Sequence, residues 1–383
     1  MFAPGFYEFF CGGGMARAGL GQDWRCLFAN DFDEGKAASY RRNWGAGELR
    51  VADIASLSAQ DLPPGADLAW ASFPCQDLSL AGEGAGLQGG RSGAFWRFHG
   101  LMQDLKRQRR LPNIIALENV LGALSANGGA DFVALCTALQ SLDCVVGALT
   151  LDAAWFTPQS RPRLFIVAAA RSAQLPAQLT GAGPCAHLAT PALLRSVAAL
   201  PARLARDWRW WTLPAPPKRN LELTQILETD PADAPHHSAA ETQAFLAQMS
   251  APALRKLDAA RRTGAPQVGA LFRRTRRDGE GRSVVRAELR FDGLAGCLRT
   301  PGGGSSRQFL IEVSGPATRS RLISAREAAR LMGLPDSYSL PERRNAAYHL
   351  LGDGVVAPAV NYLAQHLLTP MALAARATAE QAA

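Results

Sequence analysis

FFCGGGMARAGL, residues 9 to 20, places three consecutive glycines where an apolar run, GFYEFF (5 to 10), gives way to a helical pattern. A backbone without side chains turns sharply and lets a ligand come close, and the start of the following helix offers free N–H groups. The apolar run then reads as a first strand and the turn as a ligand cradle. Working outward, CLFAN (26 to 30), DLAWASF (67 to 73), NIIALEN (113 to 119), CVVGALTL (144 to 151) and RLFIVAAA (163 to 170) read as further buried strands, with a short one ahead of VADI (51 to 54). Helical patterns lie between most of them, at 33 to 44, 92 to 108 and 130 to 142. This alternation predicts an α/β fold whose mostly parallel sheet is covered by helices on both faces. The runs at 144 to 151 and 163 to 170 are joined by too few residues for a crossover helix, so the last strand is expected to be antiparallel.

The chain has 383 residues, more than one core usually accommodates, so two structural units are expected. From about residue 171 the texture changes to Pro-rich stretches such as PAPP (214 to 217) and PADAP (231 to 235), which places a boundary there. With 48% hydrophobic and 19% charged residues the composition is that of a folded chain. Apolar runs stay far below the roughly 20 residues of a membrane helix. The N-terminus lacks the charged start and cleavage site of a signal peptide, which points to the cytoplasm. Seven cysteines without a C-x-x-C pair argue against a zinc site or a disulfide framework. An excess of 41 Lys and Arg over 33 Asp and Glu, net +8, is compatible with a polyanionic partner.

Nineteen residues beyond Gly12, at the end of the second strand, Asp31 is placed to accept from ribose hydroxyls. Gly12, Gly14 and Asp31 by themselves suit NAD, a flavin or S-adenosylmethionine, and a plain tight turn fits them as well. Asp53 adds a second carboxylate at the same sheet edge, or an exposed turn residue. In a parallel sheet, residues that follow different strands converge outside the carboxyl ends. Cys75 follows the fourth strand, Glu118 and Asn119 close the fifth, and TPQSRPR (157 to 163) precedes the seventh. A thiol, a carboxyl group and two arginines are thus expected beside the glycine turn. A nucleophilic thiol acts as its thiolate. None of the six histidines falls in these segments, which disfavours cysteine-protease chemistry.

The ordered set F-x-G-x-G (Phe10, Gly12, Gly14), PCQ (74 to 76), ENV (118 to 120), Q-x-R-x-R (Gln159, Arg161, Arg163), a helix with Arg326 and Glu327, and LGDGVVAP (351 to 358) resembles the DNA cytosine-C5 methyltransferases. The resemblance covers most of residues 6 to 170 and 322 to 363. It implies a Rossmann-like, S-adenosylmethionine-dependent methyltransferase fold plus a smaller target-recognition domain. The expected division is 1–170 for catalysis and cofactor, 171–345 for target recognition, and 346–383 returning to the catalytic domain. By resemblance, the Cys75 thiolate adds to C6 of cytosine, Glu118 hydrogen-bonds or protonates N3, and Arg163 with Arg161 holds the base carbonyl and a phosphate. The implied cofactor is S-adenosyl-L-methionine, leaving as S-adenosyl-L-homocysteine, with no metal. Its implied contacts are Phe10, Gly12, Gly14, Asp31, Phe32, Asp53, Ile54, Pro74, Asp353 and Val355. Departures from the family pattern are Glu8 for an aspartate, Asp353 for an asparagine, and Met332-Gly333-Leu334-Pro335 for a motif that usually carries glutamine and phenylalanine.

A cytosine stacked in a duplex hides C6, so such an enzyme must rotate the base out. The glycine-rich segment 79 to 93 reads as a closing lid or an ordinary surface loop. LFRRTRRDGEGRSVVRAELRF (271 to 291) holds seven arginines around a DGEG turn and reads as a basic hairpin facing phosphates and a groove. CLRTPGGGSSRQ (297 to 308) adds a loop suited to close backbone approach. The implied DNA contacts are Gln76, Ser79, Arg91, Asn119, Gln159, Arg273, Arg274, Arg276, Arg277, Arg299, Ser305 and Arg307. DWRWW (207 to 211) suits domain packing equally well, and KRQRR (106 to 110) reads as a charged helix end. The expected partner is double-stranded DNA, for a monomer in the bacterial cytoplasm or nucleoid that is either functionally paired with a restriction endonuclease or a solitary DNA methyltransferase. Transfer RNA as substrate, a binding protein without catalysis, and an NAD dehydrogenase are the alternatives. The last leaves PCQ, ENV and Q-x-R-x-R without purpose.

Overall fold

The computed structural model describes residues 3–74, 93–277, 279–302 and 307–382. Within them the chain forms two compact units, one of residues 1–152, 162–216 and 355–383, the other of residues 153–161 and 217–354.

The first unit is built on a sheet of β1 (Gly5–Phe9), β2 (Arg25–Asp31), β3 (Leu49–Val51), β4 (Leu68–Ala71), β5 (Ile114–Val120), β6 (Cys144–Asp152) and β7 (Pro162–Ala170), in the order β3-β2-β1-β4-β5-β7-β6. The first five run parallel, and β7 is antiparallel to both β5 and β6. Each apolar run named above became a strand, and the short link between the last two made them antiparallel. The centre of β1, β4 and β5 is buried on both faces, which is why these strands read as unbroken apolar stretches.

The crossover helices α1 (Met15–Leu20), α2 (Glu34–Trp44), α3 (Gly93–Arg107) and α4 (Ala130–Ser141) carry local start and stop signals. Asp33 caps α2 by accepting from Lys36 N, and Gly45 ends it with φ 83°. The core on one face packs Phe9, Phe28, Phe73, Phe95, Phe98 and Phe132.

Two later segments return to this unit, the first carrying the short helices α5 (Pro191–Ala198) and α6 (Ala202–Arg206). Thr180–Gly181 (β8) pairs with Trp210–Trp211 (β9), and Arg209 N donates to Val146 O at 2.8 Å, so DWRWW packs along β6. The cut drawn from composition near residue 171 therefore falls inside the first unit, because 171–216 finds its partners on the β6 edge. The chain also comes back through α11 (Ala357–Leu363) and α12 (Thr369–Ala382). A Cβ on Gly19 would lie 2.4 Å from Val360, so glycine lets α1 and α11 touch. Arg376 pairs with Asp67, whose carboxylate also accepts from Gly5 N at 2.7 Å.

The second unit centres on β10 (Gln267–Arg277), β11 (Ser283–Arg290), β12 (Gln308–Ser314) and β13 (Ala317–Leu322), antiparallel in the order β11-β10-β12-β13. The helices α7 (Ala239–Ala247) and α8 (Ala251–Arg262) share a core with it around Leu257, Leu271, Leu289, Phe309 and Ile311. A capping box at Ser324 and Glu327 starts α9 (Ala325–Leu331), and the same buried Glu327 accepts from Arg321 at 2.7 Å. The helix α10 (Arg344–Asp353) completes the unit.

Candidate active site

Five parallel strands of the first sheet end at one edge, and β7, running the other way, begins there. That is why Phe10, Gly12, Asp31, Asp53, Pro74, Glu118 and Arg163, far apart in sequence, gather along the carboxyl ends of the strands.

The glycine turn leaves β1 through left-handed backbone at Phe10 (φ 57°), Gly12 (φ 53°) and Gly14 (φ 76°). Phe10 is the costly member, since a side chain rarely adopts that region. Gly12 N donates to Asp31 Oδ2 at 2.8 Å and Asp33 N to Oδ1 at 2.9 Å, which holds the carboxylate still while each oxygen keeps a free lone pair. Burial pushes the Asp31 carboxyl upward from its ordinary value. A Cβ on Gly12 would meet open space, so the turn forms a cradle. Behind it, the Trp44 indole N–H donates to Gly13 O at 2.9 Å, and a Cβ on Gly14 would fall 2.4 Å from that nitrogen. Phe32, next to Asp31, is 71% exposed. Asp53 is exposed and accepts from Ala55 N at 2.8 Å, with Ile54 buried beside it. An open cradle, a fixed carboxylate and a bare aromatic ring fit a nucleoside-bearing cofactor.

Farther along the same edge, Arg163 Nε lies 3.0 Å from Glu118 Oε1, with the side chains 14% and 7% exposed. Asn119 Nδ2 donates to Phe73 O at 3.3 Å and its Oδ1 accepts from Val120 N at 2.9 Å. Asn119 is therefore buried and engaged in tying the end of β5 to the segment that carries half-buried Pro74, rather than open to a nucleic acid. Cys75, Gln76, Ser79, Arg91 and Ser305 lie outside the described residues, as does the expected lid up to residue 92.

Q-x-R-x-R reads as one strip in the sequence, and the fold divides it. Gln159 is fully buried in the second unit, donating to Leu331 O at 2.9 Å and accepting from Leu298 N at 3.0 Å. Arg161, in the same unit, donates to Leu298 O at 2.6 Å, Gly352 O at 2.8 Å and Gly354 O at 2.7 Å. Both were expected at the substrate, Arg161 beside Arg163. The structure instead puts them to work as scaffold, because buried donors must find acceptors and these are main-chain carbonyls of the second unit.

Asp353 is exposed in the second unit, while Val355 is buried in the first. Arg299 is exposed, and Arg307 is half-buried and donates to Asn345 Oδ1 at 3.2 Å. Arg274 and Arg277 are exposed on β10, where Arg276 occupies a strand position between them. Arg273 lies over the rings of Phe245 and Phe309, 5.6 and 5.4 Å from their centroids, and so anchors the strand.

Sequence reasoning passed over Trp44, whose indole holds the glycine turn, and gave Glu8 no task. A carboxylate inside the apolar strand GFYEF was the available signal. Glu8 is 1% exposed, accepts from Arg17 N at 3.4 Å, and burial pushes its carboxyl up to about 8. Among the described residues no group of three or more His, Cys, Asp or Glu is placed to hold a metal, and no helix is long and apolar enough to cross a membrane.

With this geometry in view, the chain is similar to several known proteins. It is 33% identical to the Type II methyltransferase M.DsaV of Dactylococcopsis salina over 164 residues, 42% of this chain and 44% of that one, so this match spans less than half of the relative. It is 23% identical to M.HpaII of Haemophilus parainfluenzae over 391 residues, 95% of this chain and 88% of that one. The solved Dnmt2 methyltransferase of S. pombe superposes over 96% of this chain and 99% of its own with a TM-score of 0.56 at 17% identity, a likeness of fold. The model of the C-5 cytosine-specific DNA methylases matches residues 5–369. Glycine cradle, Glu118–Arg163 pair and motif order thus meet in one chain, which belongs to the C-5 cytosine-specific DNA methylase family.

Proposed function

We propose that this protein transfers a methyl group from S-adenosyl-L-methionine to C5 of a cytosine rotated out of a specific duplex DNA sequence. The observation that carries this reading is the Glu118–Arg163 pair, set on the same strand edge as the glycine cradle, with Glu118 on β5, the strand that pairs with the β4 strand leading into PCQ. Phe10, Gly12, Gly14, Asp31, Phe32, Asp53, Ile54 and Pro74 would hold the cofactor, with Asp31 accepting from ribose hydroxyls and Phe32 covering the adenine. Bound there, S-adenosyl-L-methionine supplies an electrophilic methyl group and leaves as S-adenosyl-L-homocysteine.

The protein's own residues make C5 a nucleophile. The Cys75 thiolate forms a bond to C6, and the electron pair released across the ring is met at N3 by a proton or hydrogen bond from Glu118 in its protonated form, the proton returning to that carboxylate when the ring is restored. Arg163 keeps Glu118 aimed at that nitrogen and adds positive charge where the thiolate reacts. After methylation a base removes the C5 proton, the sulfur–C6 bond breaks, and the thiolate leaves. The exposed arginines of the second unit would meet the DNA. A paired restriction endonuclease and monomeric action in a bacterial cytoplasm belong to the same reading.

A duplex carrying 5-fluorocytosine at the recognised site tests the chemistry, since fluorine cannot leave as the proton does. A covalent adduct mapped to Cys75 is expected, with bisulfite sequencing of DNA from expressing cells supplying the site. Absence of an adduct at saturating cofactor would sink the mechanism. Labelled methyl groups appearing in transfer RNA and not in duplex DNA would move the substrate, and unchanged transfer by Cys75→Ala would remove the thiol from it.

A further inference from the structure

The strand register of the second unit assigns a role to one arginine of the basic hairpin that is not among the DNA contacts expected from the sequence. β12 accompanies β10 only along Gln267–Phe272, whereas β11 follows β10 to Arg277. Beyond Phe272 the sheet therefore narrows to a ribbon of two strands. At about 3.4 Å per residue, the stretch 273–277 paired with 283–287 extends about 15 Å.

The root of this ribbon is anchored on one face by Arg273 over Phe245 and Phe309, with Ala287 fully buried opposite it. One step outward the environment changes. Arg274 is directly opposite Arg286, and both are exposed. Residues directly opposite in an antiparallel pair share a face with their Cβ atoms about 5 Å apart, and like charges so placed disfavour the sheet. Glu288 reaches Arg274 at 3.5 Å from one side, which leaves the face net positive. On the other face at the next step, Thr275 and 46%-exposed Val285 stand opposite each other.

A two-stranded ribbon has the width that the major groove of B-DNA admits, and a pair of guanidinium groups on one face suits a single phosphodiester. We propose that Arg274 and Arg286 form a clamp for one backbone phosphate as the ribbon enters a groove of duplex DNA, and that the clamp positions the duplex without reading its sequence. This rests on the DNA reading above. Arg286 belongs to the seven-arginine hairpin without being among the DNA contacts expected from the sequence, and its register with Arg274 singles it out.

The test uses the full-length protein and a fluorescent duplex, with binding followed by anisotropy from low to high salt. In R286Q the slope of log affinity against log salt is expected to fall by about 1, equally for unrelated duplex sequences. R274Q/R286Q should lose no more than about one further contact, and R286Q should not lower the unfolding temperature, since a like-charge contact is removed while Arg274 keeps Glu288 and the Phe272 ring. An unchanged slope in both variants, with the parent binding normally, overturns the clamp and leaves the enzyme reading intact. A change in which cytosines are methylated, seen by bisulfite sequencing with an unchanged slope, replaces phosphate contact by base readout and overturns it as well. Failure of the parent to bind any duplex would defeat both proposals.

Discussion

Arg163 Nε and Glu118 Oε1 stand 3.0 Å apart because β7 runs antiparallel to β5 in a register that sets Arg163 opposite Val120 and Phe165 opposite Glu118. The two side chains are diagonal neighbours on one face of the sheet. Each is mostly buried, so each depends on the other for its charge to be tolerated. Arg163→Ala should destabilise the fold by about 3 kcal/mol by leaving a buried carboxylate alone, measured by denaturant unfolding. Arg163→Lys should recover much of that stability and little methyl transfer, because a point charge cannot reproduce a planar guanidinium. Glu118→Gln should lower kcat by at least about 100-fold, the usual reach of general acid catalysis. Full activity in Glu118→Gln would remove the carboxyl group from the chemistry.

Arg161 lies two residues earlier and its substitution should read out differently. Losing its bonds to the carbonyls of Leu298, Gly352 and Gly354 should cost the second unit about 3 kcal/mol. Methyl transfer per folded molecule in Arg161→Ala, measured below its unfolding transition, should fall far less than in Arg163→Ala. Equal losses would return Arg161 to the substrate.

Glu8 makes stability depend on pH. Its carboxyl is raised from 4.5 to about 8 by burial, so the folded chain holds that proton more tightly than the unfolded chain. The stabilisation is fully present below about pH 4.5 and is lost as pH rises through about 8. Glu8→Gln stays neutral and keeps an acceptor for Arg17 N. It should match the parent near pH 5 and exceed it near pH 9 by on the order of 3 kcal/mol in thermal unfolding. A gap that does not widen with pH would show that Glu8 is ionised in the fold.

The cradle is open to a paired test. Asp31→Ala should weaken S-adenosyl-L-methionine binding by calorimetry, about tenfold or more for a lost pair of hydroxyl contacts. Gly14→Ala should weaken it too, by pushing Trp44 off Gly13 O and forcing a methyl group into left-handed backbone at a cost of about 1–3 kcal/mol. Trp44→Ala should make the Gly14→Ala change less costly than the two single effects summed, because the collision is shared. Strict additivity would show that backbone strain alone is at work.

Much of this was legible in the chain itself. Apolar runs of five to eight residues, glycines at the β1 turn, and a link too short for a helix before β7 are local signals, and each fixes a local conformation. They were enough to place Asp31, Glu118 and Arg163 on one edge, since parallel strands deliver their carboxyl ends to the same side. What they could not supply was the partner of each polar group. Gln159, Arg161 and Arg163 are evenly spaced in sequence, yet two are buried as scaffold in one unit and the third pairs with Glu118 in the other. Arg273 and Arg274 are neighbours, yet one lies over the core rings of Phe245 and Phe309 on one face and the other, over Phe272, is exposed opposite Arg286 on the other face. Local pattern determined where strands and turns fall. The fate of each guanidinium and carboxyl was decided by register and burial between residues far apart in the chain, because a buried charge takes whichever acceptor the tertiary packing brings within about 3 Å.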